Sequence, residues 1–490
     1  MLYKLQISLL LGVLLIMPEL FSQSMDYRYI DSLTFDQYNR KDWKNLNKTG
    51  NEAIKSGLDY YYLRLRLAKG NYEQRDFSLA HKHFGKALTF NEYNGYSQSY
   101  LIGSLLENGC NTEAGFLFTR SHSTAKQYVP IHEGFRFTSV HGDGGMIFRN
   151  EMDNIGFNEL TGQEGLYGQQ RRYDNSNLFD VGGFIQFKPN IMYYIGIQSI
   201  NTRVTDRFAF IENSLLRDST AEFDWGSAYY YTVDTTQKME EFKHDIEQKS
   251  LYSQLRWSFS DRLTCILGGQ LIGISQTKTT ASLENFSVSD TAYFITELDS
   301  VAMYNTSLQK VVFNQDTSVN IDWTISLNAQ YVFGKVTAKA GACFSQLNEK
   351  KTQQFSIGAY YQPFGNPDLY FSAEIVAVHD AKQTNIIAKE IIGMKLFSPF
   401  WLDVAFLFGN IENFNDQYSY IVYNNPELIR FSLEPTLIVS VSKHLRCQLR
   451  FRMQQADTYY YTYTSTSDNL IQQTTSNYSY SIIGGIKWIF

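Results

Sequence analysis

The chain has 490 residues, enough for more than one domain, and its formal net charge is -6 at neutral pH. This acidic balance argues against nucleic acid as a partner, because phosphate backbones attract basic surfaces. The 35 tyrosines and 35 phenylalanines favour aromatic-rich barrel strands and membrane interfaces over an ordinary globular enzyme. The four cysteines are widely scattered without a CxxC pair, so the sequence predicts neither a disulfide framework nor a metal site built from cysteines.

The first 22 residues have the pattern of a secretory signal peptide. Lys4 supplies the positive start, residues 5–17 form an apolar run, and Pro18 and Ser22 lead to a cleavage site expected after Ser22. A transmembrane anchor is the alternative, but the run is shorter than the ~20 residues that a spanning helix needs. We therefore expect export to the periplasm, the outer membrane or the outside.

Residues 25–128 contain a repeat with a period of 34. Leucine, alanine and phenylalanine recur at this spacing in four sets: Leu33, Leu67 and Leu101; Ala80 and Ala114; Ala53 and Ala87; Phe84 and Phe118. This period, with its small and large packing positions, resembles the tetratricopeptide repeat, most closely over residues 62–88. The resemblance implies about three helix pairs stacked into a short α-solenoid, with degenerate outer copies.

A short repeat stack can serve in two ways. It can present a groove to a peptide or a partner domain, or it can be a rigid periplasmic plug or spacer, and both interpretations stay open. His81 and His83 lie in the middle repeat, but a spacing of two points helical side chains in different directions. These histidines do not predict a metal pair.

From residue 132 onward, helical periodicity gives way to alternation of apolar and polar residues. In residues 319–333 every odd position is apolar, while the even positions from 320 to 330 are polar. In a soluble sandwich the apolar face would be the inside, whereas in a barrel in lipid it is the outside and the polar face lines the lumen. The signal peptide and the final strand favour the barrel.

We predict fourteen antiparallel strands for residues 132–490, with twelve or sixteen as alternatives. They lie near 133–141, 178–188, 191–200, 249–259, 263–276, 319–332, 336–347, 352–361, 369–378, 386–397, 400–410, 428–441, 445–455 and 479–490. Long loops are expected at 142–177, 201–248, 277–318, 411–427 and 456–478. Short turns on one side and long loops on the other are typical of outer-membrane barrels, and an even strand count places the repeats and the carboxy-terminus together in the periplasm.

Charged residues at polar positions of these strands are expected to face the lumen. They are Arg256, Asp322, Glu374, Asp403, Arg430, Glu434, Arg446, Arg450 and Arg452. Antiparallel pairing sets Glu434 opposite Arg452, with Arg450 on the diagonal. Such a lumen is either a wet, charged passage or an ion-pair network that holds a narrow lumen shut.

The last strand has apolar residues at alternate positions. Tyr480, Ile482, Gly484, Ile486, Trp488 and Phe490 share one face. An edge strand this apolar would aggregate in water unless its face met lipid and its edge were closed into a barrel. This ending resembles the carboxy-terminal assembly signal of Gram-negative outer-membrane β-barrels, which implies the barrel-assembly machinery as a partner during biogenesis.

The sequence carries no recognisable catalytic or cofactor motif, so we expect neither an enzyme nor a bound cofactor or metal. His141, His244 and His379 are the candidates for a hydrolase site near the outer rim, but none lies in a known motif. The segment 141–145, His-Gly-Asp-Gly-Gly, is interpreted as a polar turn that leaves the first strand rather than as a metal or nucleophile site.

A signal peptide at 1–22, repeats at 25–128 and a barrel at 132–490 together resemble outer-membrane barrels with periplasmic repeats, such as the exopolysaccharide-export porins and the YaiO family. The export porins usually carry far more repeats. The resemblance implies an α plus transmembrane β protein in the outer membrane of a Gram-negative bacterium, with its barrel in lipid and its repeats in the periplasm.

Two functions of different classes follow. We expect an outer-membrane channel or export barrel whose repeats recruit or gate a periplasmic protein partner. The alternative is a non-conducting anchor that ties a periplasmic or surface complex to the outer membrane. An enzyme at the barrel rim is a more distant third.

Overall fold

The computed structural model describes residues 26–150, 167–223, 226–294, 300–424, 427–464 and 467–490. Within these ranges a group of helices is followed by antiparallel strands that close into a barrel, which confirms the predicted fold class. The signal peptide predicted over residues 1–22 lies outside the described residues. No helix in the described part of the chain is both long and apolar enough to cross a membrane.

Seven helices form the amino-terminal part of the described chain. They are α1 (Tyr27–Asn39), α2 (Trp43–Lys55), α3 (Tyr61–Glu73), α4 (Phe77–Leu88), α5 (Gly95–Glu107), α6 (Asn111–Arg120) and α7 (Ser123–Lys126). Asp42, Asp76 and Asn94 start α2, α4 and α5, because each side chain accepts a hydrogen bond from the backbone amide three residues later. Consecutive helices from α1 to α6 contact one another.

The predicted packing residues lie in the interior of this helix stack. Nearly all of them are buried: Ala53, Leu67, Ala80, Phe84, Ala87, Leu101, Ala114 and Phe118. Leu33, on α1, is half-buried. The Phe84 ring stacks on Tyr100 of α5 with 5.5 Å between ring centroids, so a recurring aromatic fills the space between neighbouring helices. Membership of the tetratricopeptide family remains a prediction.

Sixteen strands follow in the described residues. They are β1 (Arg136–Asn150), β2 (Tyr167–Lys188), β3 (Ile191–Phe223), β4 (Gly226–Ser258), β5 (Leu263–Phe294), β6 (Ser300–Phe333), β7 (Val336–Leu347), β8 (Lys350–Tyr361), β9 (Leu369–His379), β10 (Thr384–Phe397), β11 (Phe400–Ile411), β12 (Phe414–Asp416), β13 (Ile421–Tyr423), β14 (Leu428–Ser440), β15 (Leu445–Thr464) and β16 (Ser467–Ile489). All except β12 and β13 form one closed barrel of fourteen strands, the number predicted. The barrel closes where β1 pairs with β16.

Most of the segments expected to be long loops are strands instead. β3 and β4 stay paired until Phe223 lies opposite Gly226, and β5 and β6 until Phe294 lies opposite Ser300. The prediction relied on alternation of apolar and polar residues, which is required only where one face meets an apolar surrounding. Beyond that band the strands continue with buried apolar residues such as Phe208, Phe210 and Val311 set among polar ones, so a simple alternation does not mark them.

The apolar positions point away from the lumen. Val319 and Ile321 are 71% and 70% exposed, whereas Asp322, the next residue, is 2% exposed. Along β16 and at the following Phe490 the same pattern places the predicted assembly residues on the outer face, since Tyr480, Ile482, Gly484, Ile486, Trp488 and Phe490 are all exposed. The outside of the barrel is therefore apolar and the inside polar.

The helices cover the end of the barrel where the short turns lie. Asp76 forms an ion pair with Lys335 at 2.7 Å, Arg75 forms one with Asp368 at 3.1 Å, and the buried Glu113 accepts a hydrogen bond from Thr264. These contacts join the start of α4 to the turns after β6 and β8, and the start of α6 to the first residues of β5. The helix group is thus fixed to the barrel by side chains at several points.

Replacing Gly115 with alanine is expected to detach α6 from the barrel. A Cβ atom at Gly115 would lie 1.7 Å from the carbonyl oxygen of Pro189, in the turn between β2 and β3, so backbone must move. Limited proteolysis of the connection between α7 and β1 should then proceed at least several-fold faster. Gly85→Ala is the matched control, because the nearest atom to its Cβ would be 3.9 Å away. Equal cleavage of both variants would contradict the contact.

Candidate functional site in the barrel lumen

Part of the connection between β11 and β14 folds into the lumen. This luminal segment, residues 412–424, contains β12, β13 and a short helical turn at Gln417–Ser419. Phe414 and Tyr423 are buried and stack with 5.7 Å between ring centroids. They belong to a hydrophobic cluster with inward-facing wall residues, namely Val376, Val378, Ile387, Leu407, Ile411, Ile429 and Ala456. Burial of this apolar surface holds the segment inside the barrel.

Polar side chains attach the luminal segment to the wall on several sides. Tyr420 donates a hydrogen bond of 2.8 Å to Asp180 on β2, and the Tyr418 carbonyl accepts one of 3.1 Å from Tyr252 on β4. Asn415 donates to Gln354 on β8 at 2.7 Å. The contacts reach strands from distant parts of the sheet, so the segment crosses the lumen rather than lying along one wall.

A buried ion pair anchors the same segment. Lys389 of β10 binds Asp416, and both side chains are 8% exposed. Each charge compensates the other, since an unpaired buried charge costs several kcal/mol. The next three residues, Gln417 to Ser419, all have left-handed backbone angles with φ between 48° and 70°. Such angles are costly for residues other than glycine and persist only where surrounding contacts hold them.

The two larger cavities beside the luminal segment lie inside the barrel. The inner one, of about 480 Å³, is lined by Arg256, Lys339, Glu374, Lys389, Asp416 and Arg450 among others. The outer one, of about 400 Å³, is lined by Arg149, Arg171, Lys278, Asp322, Asn424 and Glu427 among others. Both therefore carry charges of each sign, and each has room for a small polar molecule.

The predicted lumen residues fall into five places. Arg256, Glu374 and Arg450 line the inner cavity and Asp322 lines the outer one. Glu434 pairs with Arg452 at 2.5 Å and with Arg450 at 3.4 Å, so the structure brings this predicted trio together.

Arg430 does not line either cavity. It is exposed and forms an ion pair of 2.8 Å with Asp457 on β15. The pairing of β14 with β15 shifts between Ile429 and Phe431, and a shift of one residue reverses the face of a strand. The expected luminal position of Arg430 is therefore not the one in the structure.

Asp403 and Arg446 lie at the barrel mouth that faces the helices. They line a third cavity, of about 1330 Å³, which also includes Tyr96, Tyr100 and Trp401. One wall of this mouth cavity comes from the helices and the other from the barrel. The sequence predicted these two charges as luminal, but it gave no sign that α5 would face them.

The segment 141–145 lies within β1, so its interpretation as a turn is wrong. β1 continues through its glycines because they pair on both sides with β2 and β16. His141 faces the lumen and lies 3.0 Å from Asp180. His244 lies on the outer part of β4, and His379, the last residue of β9, bonds Thr384, the first residue of β10.

In the helices, His81 and His83 point to different neighbours. His81 lies 3.4 Å from Asp261 in a barrel turn, whereas the buried His83 lies 3.1 Å from the Arg64 guanidinium. Burial, reinforced by Arg64, lowers the pKa of His83 from 6.5 to about 4. The folded protein therefore keeps this imidazole neutral, so that its ring nitrogen can accept a hydrogen bond from Arg64.

The helix stack is expected to lose stability in mild acid. Between pH 6.5 and about 4 the unfolded chain protonates His83 while the folded chain does not, so the free energy of unfolding falls as the pH is lowered through this window, by up to ~3 kcal/mol. Urea titrations followed by the helical circular dichroism signal measure this change. His83→Gln should flatten the dependence and the exposed His122→Gln should not, whereas equal slopes in both variants would contradict the assignment.

No family model and no curated protein matches this chain. Among solved structures, the toluene transporter TodX of Pseudomonas putida matches with a TM-score of 0.37 and 9% identity, over 75% of this chain and 91% of that one. A Pseudomonas aeruginosa FadL homologue matches with a TM-score of 0.29 and 10% identity over 79% and 94%, and the outer membrane channel DcaP of Acinetobacter baumannii with 0.28 and 9% over 73% and 98%. At these scores the similarity carries no argument about what this chain does.

Proposed function

We propose that the protein is an outer-membrane channel for small polar solutes, closed by its luminal segment. The apolar outside of the fourteen-strand barrel supports a position in lipid, since a face with Val319 and Ile321 more than two-thirds exposed would be unfavourable in water. The structural observation that supports a channel function is the lumen itself. Two charged cavities inside the barrel lie against the luminal segment, which is held by hydrogen bonds, an ion pair and apolar contacts.

The helices are proposed to lie in the periplasm and to receive a protein partner there. The short turns that they cover are the periplasmic turns of the barrel plan. The mouth cavity of about 1330 Å³ between the helices and the rim gives an incoming polypeptide or solute a place to bind before it reaches the lumen. In this role the repeats gate the channel from the periplasmic side.

The competing function is a non-conducting anchor. The attachment of α4 and α6 to the barrel favours this function, because an anchor must hold its helices in a fixed position relative to the barrel. Under this alternative the luminal segment would only fill the barrel.

Solute uptake into proteoliposomes separates the two functions. Vesicles with the full chain should swell slowly in small sugars or amino acids, and vesicles with the luminal segment replaced by a flexible linker should swell at least about tenfold faster. Affinity capture from periplasmic extract, with and without residues 26–128, reports partner binding. Partner capture without uptake in either protein would favour the anchor and overturn the channel.

A further inference from the structure

Three possible metal ligands meet on the wall of the inner cavity. His141 and Asp143 come from β1 and Asp180 comes from β2, and one ligand atom of each lies within 4.8 Å of the others. The imidazole Nε2 atom of His141 is 3.0 Å from an oxygen of Asp180. Since His141 and Asp143 line the inner cavity, an ion in the lumen can reach them.

The two carboxylates form a buried pair of like charge. Asp143 and Asp180 lie directly opposite each other in the pairing of β1 with β2, and they are 7% and 3% exposed. Like charges in this position repel, and the repulsion grows as water is removed. Within the described part of the chain, neither carboxylate lies within ion-pair distance of an arginine or a lysine. The one basic side chain within that distance is His141, which lies beside Asp180. The pair therefore has no permanently charged partner.

Neighbouring side chains hold both carboxylates in place. The amide nitrogen of Gln448 lies 3.0 Å from both oxygens of Asp143, and Tyr420 donates to Asp180 at 2.8 Å. Gly485 of β16 lies opposite Asp143, and a Cβ atom there would be 2.0 Å from the carboxylate, so this space is kept for Asp143.

We propose that His141, Asp143 and Asp180 bind a divalent first-row transition-metal ion such as Zn²⁺. One imidazole nitrogen with two carboxylate oxygens is a ligand set that these ions accept, whereas Ca²⁺ and Mg²⁺ prefer oxygen alone. A bound ion neutralises the carboxylate pair. Because Tyr420 of the luminal segment bonds Asp180, the ion also lies where the segment meets the wall. The proposal does not depend on whether the lumen conducts.

His244 provides a matched control. It also lies near a buried carboxylate, Asp206, at 3.6 Å, and bonds Thr279 at 2.8 Å. That carboxylate, however, has Arg171 at 3.6 Å as a counter-charge. His244 thus belongs to a compensated pair with one carboxylate and should not bind the ion.

The test is equilibrium dialysis of the full chain, purified in detergent without a histidine tag and stripped with chelator, against Zn²⁺ alone. The expected result is about one ion per chain, with affinity reduced at least about tenfold in Asp143→Asn, Asp180→Asn and His141→Gln and unchanged in His244→Gln. The heat-dependent shift of folded barrels on gels shows which variants are folded.

Three results would overturn the site. They are absence of Zn²⁺ binding by the wild-type chain, full retention of binding in the folded variants at 141, 143 and 180, and a similar loss in His244→Gln. Tighter binding of Ca²⁺ than of Zn²⁺ would overturn the proposed class of metal. A conductance result, in either direction, leaves this test unaffected.

Discussion

Replacing the luminal segment, residues 412–424, with a short, flexible Gly-Ser linker is expected to turn a nearly silent barrel into an open one. Phe414 and Tyr423 of this segment are buried against inward-facing wall residues, and no strand of the barrel wall runs through residues 412–424. The wall should therefore stay closed while the obstruction is removed. We expect the unitary conductance in planar bilayers to rise by at least about tenfold, because ion flow through a narrow pore depends steeply on its radius.

A second connection on the same rim serves as the control. Residues 380–383 join β9 to β10 and remain outside the lumen, so the same kind of linker there should leave the conductance low. If both replacements open the barrel equally, damage to the rim and not removal of the luminal segment is the cause. If neither opens it, the luminal segment is not the barrier.

Breaking the ion pair between Lys389 and Asp416 should release the luminal segment without removing it. In Lys389→Met the Asp416 carboxylate is left buried without its partner, which costs about 3–5 kcal/mol when a buried pair loses one member. If the luminal segment moves away from the barrel wall, water can reach this carboxylate again. We therefore expect frequent openings in bilayer recordings, in contrast to the quiet wild-type barrel.

The double variant Lys389→Met with Asp416→Leu separates charge from packing. Both members of the pair become apolar, and exchange of a whole buried pair for apolar residues is often neutral or stabilising. The openings should return close to the wild-type frequency. Persistent openings in the double variant would mean that lost packing, and not the unpaired carboxylate, displaces the segment.

The barrel was predictable because its signal is simple. Alternation of apolar and polar residues over 319–333 and 479–490 fixes two faces, and the short turns fix where strands end. The lengths of β3 to β6 were not predictable in this way. These strands run for 32 to 34 residues, well past the apolar band, and their outer parts mix polar residues with a buried apolar cluster around Phe208 and Val311.

The sequence does contain a sign of the luminal segment, but the alternation of apolar and polar residues does not reveal it. Val376, Val378 and Ile387 are apolar at positions that face the lumen, near the ends of β9 and β10. Apolar side chains on a polar lumen face need an apolar occupant. Which part of the chain supplies it depends on distant contacts, and the sequence of 411–427 resembles an ordinary loop.

The ligands around His141 were missed for a different reason. Three glycines in residues 142–145 are typical of a turn, but here they lie inside β1. The pairing that sets Asp143 against Asp180 joins residues 37 positions apart, and a strand register of this kind is set by the whole sheet.

Access to Cys343 tests the central claim most directly. This cysteine lines the inner cavity, with its sulfur 3.6 Å from the Ser419 hydroxyl of the luminal segment. In a chain whose other three cysteines are replaced, as Cys110→Ser, Cys265→Ser and Cys447→Ser, a small membrane-impermeant thiol reagent is added from the side of the long hairpins. The structure predicts slow labelling with the segment in place and labelling at least about tenfold faster once it is replaced by the linker. Fast labelling of Cys343 with the segment intact would contradict a closed lumen.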